Sequence, residues 1–208
     1  MHHFHYAIVW QNLVYPGFEY CHLSSHDEGW QLKGSAVLVL DNNPLQVSYQ
    51  VLCNHLWQTR TVNITISAGS TEQNVRFIVD KRHRWWVESQ ESYEEMVHLR
   101  GCIDVDLGIT PATNTLPIRR LPLAVGRSVE ISAAWIRFPG MGIEPLTQRY
   151  TRLAEHRYQY ESGNGTFTAE IEVDKMGMVV HYPDGWQRVA SQTAGELLYP
   201  NLGSPHDA

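Results

Sequence analysis

The segment Leu99-Arg100-Gly101-Cys102-Ile103-Asp104-Val105-Asp106-Leu107 carries two carboxylates at alternate positions. Read as a strand, it puts Cys102, Asp104 and Asp106 on one face and Ile103, Val105 and Leu107 on the other. The apolar set claims the core, which leaves two carboxylates roughly 7 Å apart on the opposite face. Such a pair can hydrogen-bond sugar hydroxyls, neutralise arginines, bind a metal, or work as acid and base. It serves a purely structural Arg–Asp network equally well. A few residues on, Arg119 and Arg120 follow Thr113-Asn114-Thr115-Leu116 in a stretch framed by Pro111, Pro117 and Pro122. Adjacent arginines on an extended chain point to opposite sides, so one is expected to pair with an aspartate while the other faces a cavity. If a curled sheet encloses the aspartates, Asp104 or Asp106 must be paired, and Arg60, Arg119 and Arg120 are the expected partners.

The elements that position these groups read as strands. Trp30, Leu32, Gly34, Ala36, Leu38 and Leu40 share one face, as do Leu45, Val47, Tyr49, Val51 and Cys53. Val62, Ile64 and Ile66 alternate with Thr61, Asn63 and Thr65, and similar alternation returns at 75–79, 129–135 and 167–173. A period of two means half-buried strands. Turn signals lie between them: Asp41-Asn42-Asn43-Pro44, Ala68-Gly69-Ser70-Thr71, Gly163-Asn164-Gly165, Asp174-Lys175-Met176-Gly177 and Pro183-Asp184-Gly185. Gly, Asn and Asp tolerate the positive φ of tight hairpins. Residues 88–99 read as a short helix or a polar connection. The prolines of 108–122 exclude a long helix and a central strand but allow one helical turn at Thr113–Leu116.

The 41 Val, Ile and Thr residues, against 12 Ala and 3 Lys, exclude an all-helical bundle. A charged fraction of 18% excludes a disordered chain. A net charge of −6 speaks against a nucleic-acid partner, which needs a basic footprint. No run approaches the ~18 apolar residues of a membrane span. Three widely spaced cysteines, Cys21, Cys53 and Cys102, form neither a disulfide framework nor a zinc pattern, so free thiols are expected. The opening Met1-His2-His3-Phe4-His5-Tyr6 lacks the basic and apolar regions of a signal peptide, so the expected location is cytoplasmic. No HExxH, GxSxG, GxGxxG or Walker A pattern occurs, and neither a metal nor a cofactor is expected.

The run Cys102-Ile103-Asp104-Val105-Asp106-Leu107, then Thr110-Pro111, then Thr113-Asn114-Thr115-Leu116-Pro117-Ile118-Arg119-Arg120-Leu121 resembles the signature of a bacterial glycolipid-binding family. Glu19-Tyr20, Gly29-Trp30-Gln31-Leu32-Lys33-Gly34, Val47-Ser48-Tyr49-Gln50-Val51, Trp57-Gln58-Thr59-Arg60, Gln148-Arg149-Tyr150, Tyr158-Gln159-Tyr160 and Val173-Asp174 agree with it. The resemblance implies a spiral β-roll, similar to the half-barrel carriers of bacterial lipoproteins. Asn54 stands where that family tends to have Asp, and Lys81-Arg82-His83-Arg84 replaces a glycine-rich acidic turn.

The expected architecture is all-β: an antiparallel spiral β-roll, a curled sheet around an apolar cavity, with few short helices. Residues 1–190 form the single domain and 191–208 a mobile or surface-packed tail. The expected partner is an amphiphilic small molecule, glycolipid or fatty-acid-like. Trp57, Trp135 and Tyr150 would touch its tail, and Arg60, Asp104, Asp106, Asn114, Arg119, Arg120 and Gln148 its headgroup. The alternatives are a hydrolase using the Asp104/Asp106 pair and a structural or interaction protein. No catalytic residue is assigned, because two carboxylates on one strand face do not flank a bond as a glycosidase requires.

Overall fold

The computed structural model describes residues 4–88 and 92–193. They form one curled sheet. Its first half is β1 (His5–Asn12), β2 (Gly17–His26), β3 (Gly29–Leu40), β4 (Asn43–Cys53), β5 (Thr59–Ala68), β6 (Thr71–Val79), β7 (Trp85–Glu88) and the short β8 (Tyr93–Glu95). After β9 (Asp104–Leu107) and a single helix α1 (Thr115–Arg120), the second half is β10 (Ser128–Arg137), β11 (Gly142–Ala154), β12 (Arg157–Ser162), β13 (Phe167–Val173), β14 (Val179–Tyr182) and β15 (Trp186–Thr193). The strand order runs from β8 down to β1, then from β15 down to β9, with β1 and β15 paired at the seam.

The strand pairings are antiparallel hairpins between consecutive strands, as the turn residues predict, apart from the antiparallel β1–β15 seam and one parallel pair. Asp41 and Asn42 both adopt positive φ between the paired residues Leu40 and Asn43. This is the two-residue turn whose twist suits a hairpin. The parallel pair is β9 with β10. β9 is also an edge strand, yet it is not exposed. The Ile103 carbonyl accepts from the Thr59 backbone N–H at 3.3 Å, and Val105 N–H donates to Thr59 Oγ1 at 3.1 Å. The Trp85 indole donates to the Cys102 carbonyl at 2.8 Å. One edge of the sheet is thus rolled inside the other half, which protects it from pairing with another chain.

Both faces of the β9–β10 end are consequently covered. Val105, Leu107, Ala134 and Ile136 join a core built from β1–β7, including Trp10, Leu23, Val47, Val62 and Trp85. The opposite face looks onto a second cluster of Tyr150, Tyr158, Tyr160, Ile171 and Val179. The segment between β9 and β10 fills the concave side: Ile109, Ala112, Leu116 and Ile118 are buried there. The helical turn expected near 113–116 is a 3-10 turn at Ala112–Asn114 that runs into α1. Of the 88–99 stretch, Tyr93–Glu95 form a strand and Val97–Leu99 a 3-10 turn; residues 89–91 lie outside the described ones. β15 continues through Thr193, past the expected domain boundary at 190, and the rest of the expected tail lies outside the described residues. The three cysteines are free and buried. Among the described residues no helix is long and apolar enough to cross a membrane.

Gly34 faces Tyr49 across β3 and β4, and a Cβ there would collide with the phenol ring. Gly34→Ala is therefore expected to lose about 1–3 kcal/mol to overpacking, read as a shift in a urea unfolding midpoint at constant slope.

Candidate functional site

The site is built on the covered strand β9. Asp104 and Asp106 pair in register with Ala133 and Trp135, so both aspartates share one face of β9, as their alternation predicts. Their partners divide cleanly. Asp104 is fully buried and takes two parallel bonds from Arg120: Nε to Oδ1 at 3.1 Å and Nη2 to Oδ2 at 2.5 Å. Burial pushes the Asp104 carboxyl above its ordinary range, and the Arg120 guanidinium pulls the other way. Arg120 comes from the last turn of α1, so this ion pair ties the helix to the rolled edge of the sheet.

Asp106 has no cationic partner among the described residues. Its Oδ2 accepts from Gln148 Nε2 at 2.5 Å. Gln148 Oε1 lies 3.4 Å from the Tyr150 hydroxyl, which also donates to Asn114 Oδ1 at 2.9 Å. Asn114 Nδ2 in turn reaches the Pro111 carbonyl at 3.3 Å. This chain of amides and hydroxyl crosses from β9 to β11 and back to the turn before α1. Aromatic rings continue it: Tyr150 lies 5.2 Å from Tyr160, and Tyr160 lies 6.1 Å from Phe167 and 6.3 Å from Tyr182. Asp106 is packed closely enough for its carboxyl to rise from 3.8 to about 6, chiefly by desolvation. Solvent nevertheless still reaches the residue. The Asp106 carboxyl is thus closely packed, on a residue that is itself only part-buried. Its surroundings of carboxylate, amides, phenols and ring faces can accept from and donate to hydroxyl groups while packing against a sugar's C–H face.

The structure therefore joins Asp106, Gln148, Tyr150 and Asn114 in one hydrogen-bonded chain and sets the Asp104–Arg120 pair beside it on the same face of β9. Trp135, half-exposed, flanks Asp106 on the same face and holds the Arg137 guanidinium 5.4 Å from its ring centre. Trp57 and Arg119 form a separate pair: the guanidinium lies 5.3 Å from the indole centre, and Trp57 stacks on Trp30 at 4.5 Å. Arg60 donates to the Asp80 carbonyl and to Gln58 Oε1 rather than to either aspartate. Asn54, at the position where the resembled family tends to have Asp, accepts the Leu56 and Gln58 backbone N–H groups through Oδ1. It shapes the turn that sets Trp57 at φ +62°.

Sequence reasoning missed a second buried polar centre. Glu19 is fully buried on the concave face of β2, where its Oε1 accepts from the Tyr49 hydroxyl and from Thr110 Oγ1, the latter at 2.6 Å. Its Oε2 has no partner among the described residues. With no cation beside it among the described residues, desolvation drives the carboxyl from 4.5 to about 8. The available signal was phase: Cys21 and Leu23 are core positions, and Glu19 shares their face.

A family model described as "Putative glycolipid-binding" matches residues 7–188. Among solved structures, a DUF1089-family protein of Pseudomonas aeruginosa is 30% identical, with a TM-score of 0.73 over 82% of this chain and 92% of that one. A β-barrel-like protein of the domain of unknown function DUF1849 from Brucella abortus has a TM-score of 0.52 at 6% identity, covering 92% of this chain and 96% of that one, a likeness of fold alone. No curated protein matches.

Proposed function

The chain belongs to the family described as "Putative glycolipid-binding", and from that membership we propose that it binds an amphiphile with a sugar headgroup, seated in the recess over Asp106. One observation carries this reading: a carboxylate on a part-buried residue, with no cationic partner among the described residues, chained through Gln148 and Tyr150 to Asn114, beside the rings of Tyr160, Tyr182 and Phe167. The headgroup's hydroxyls donate to Asp106 and accept from the Gln148 and Asn114 amides, while Phe167 and Trp135 at the rim pack the first carbons of the chain. Asp104 supports binding over hydrolysis, because both its oxygens are engaged by Arg120 and Asp106 is left without a second free carboxyl group.

Calorimetric titration with octyl β-glucoside, against octanol as the sugarless reference, tests the reading. The glucoside is expected to bind and octanol not to compete. Asp106→Asn is expected to weaken the glucoside at least tenfold while leaving the fold intact. Since the Asp106 carboxyl sits at about 6, it is ionised above that pH and accepts hydroxyl protons best there. Affinity should therefore rise from pH 5 to pH 7 in the native chain and stay level in Asp106→Asn. Equal affinity in both chains across that range would exclude Asp106 from the site.

A further inference from the structure

At the C-terminal end of α1, lined by Arg119 but not by Arg120 or Asp104, lies a recess of about 440 Å³. Its apolar lining comes from Ile118, Leu121, Pro122, Leu123, Tyr158 and Val173, and its polar lining includes Arg119, Arg152 and Lys175. We propose that this recess is a binding site for an oxyanion carried on an apolar chain, held by Arg119 and Arg152. The proposal stands whether or not the Asp106 recess holds a sugar.

Among the described residues, Arg119 and Arg152 are held in place without acidic partners. Arg152 donates to three backbone carbonyls: Leu123 at 2.8 Å, Ala154 at 3.2 Å and Glu155 at 2.8 Å. Neutral acceptors fix its guanidinium but leave its charge uncompensated. Arg119 makes no hydrogen bond or ion pair among the described residues, yet it is not loose. Its head lies over the Trp57 ring at 5.3 Å, and its stem crosses Gly177, where a Cβ would come within 3.1 Å of Arg119 Cδ. Gly177 has φ +77° and lies at the turn that brings it against the arginine. A guanidinium held by stacking, with its donors unused, is arranged to receive planar or tetrahedral oxygens.

The acids nearby do not answer these charges. Asp174 accepts the Met176 and Met178 backbone N–H groups through Oδ1, while its Oδ2 takes the Tyr6 hydroxyl at 2.7 Å and lies 3.5 Å from Arg188. The Glu155 side chain is 83% exposed and stands 3.7 Å from His156. The apolar side chains interleaved with these polar groups favour an anion that brings carbon with it.

Octyl phosphate, octanoate and inorganic phosphate, titrated calorimetrically at pH 7 and low salt, distinguish phosphate from carboxylate headgroups and the anion from its chain. At least one octyl anion is expected to bind tenfold or more tightly than inorganic phosphate, and to weaken with added salt. Arg119→Ala, whose side chain is exposed, is expected to fold normally by circular dichroism and to weaken that anion at least tenfold. Arg119→Lys should recover part of the loss. Asp106→Asn should leave octyl-anion binding unchanged, and Arg119→Ala should leave octyl β-glucoside binding unchanged, so the two sites fail separately. No binding of either octyl anion, or equal affinity in native chain and Arg119→Ala, would overturn the proposal.

Discussion

Glu19→Gln is expected to flatten a large pH dependence of stability. The Glu19 carboxyl is raised from 4.5 to about 8 in the folded chain because it is fully buried without a cation. A carboxyl raised by folding binds its proton more tightly in the native state. Its contribution to stability is therefore complete below pH ~4.5 and is lost as pH rises through about 8. The loss across that window is at most roughly 5 kcal/mol. Glutamine keeps an oxygen for the Tyr49 and Thr110 hydroxyls and cannot ionise. Urea unfolding of the two chains at half-unit steps from pH 4 to pH 9 should give curves that meet in acid and diverge with rising pH, the variant becoming the more stable. Parallel curves would show that Glu19 does not titrate in that range.

Breaking the ion pair at Asp104 is the other large effect. Asp104→Ala leaves Arg120, whose side chain is only 13% exposed, without its acid, and should cost about 3–5 kcal/mol. Arg120→Ala strands a fully buried carboxylate and should cost a similar amount. Removing both should cost much less than the sum, because neither charge is then left alone. The double-mutant cycle in guanidinium chloride measures that coupling. Additive losses would mean that the two groups do not stabilise each other. The same cycle on Asp106 and Gln148 should show a weaker coupling, since no buried cation is stranded when Asp106 is removed.

Much of this was legible in the residues. Alternation alone put Asp104 and Asp106 on one face, and the need to pair an enclosed carboxylate picked out a small set of arginines that includes Arg120. The turn residues identified the hairpins, down to the two positive-φ residues at Asp41 and Asn42. What alternation cannot encode is which strand lies beside which at long range. The parallel β9–β10 pairing and the contact of β9 with Thr59 decide that Asp104, and not Asp106, meets Arg120. The gathering of Tyr160, Phe167 and Tyr182 likewise arises from three strands adding up in space. Two adjacent arginines were expected to face opposite sides on an extended chain. They part company instead at the end of a helix, Arg120 toward Asp104 and Arg119 toward Trp57. Glu19 escaped notice because a charged residue on a strand ordinarily marks the wet face, and its place in the alternation was the only sign otherwise.

Native mass spectrometry of the full chain, purified without detergent and sprayed alongside Asp106→Asn, tests the central claim most directly. The native chain is expected to carry an added mass that, on collisional activation, loses a hexose-sized fragment, and the variant is expected to carry far less of it. A native chain that appears only at its bare mass, or one whose retained ligand holds no sugar and persists equally in the variant, would contradict the assignment of the Asp106 recess to a glycosylated amphiphile.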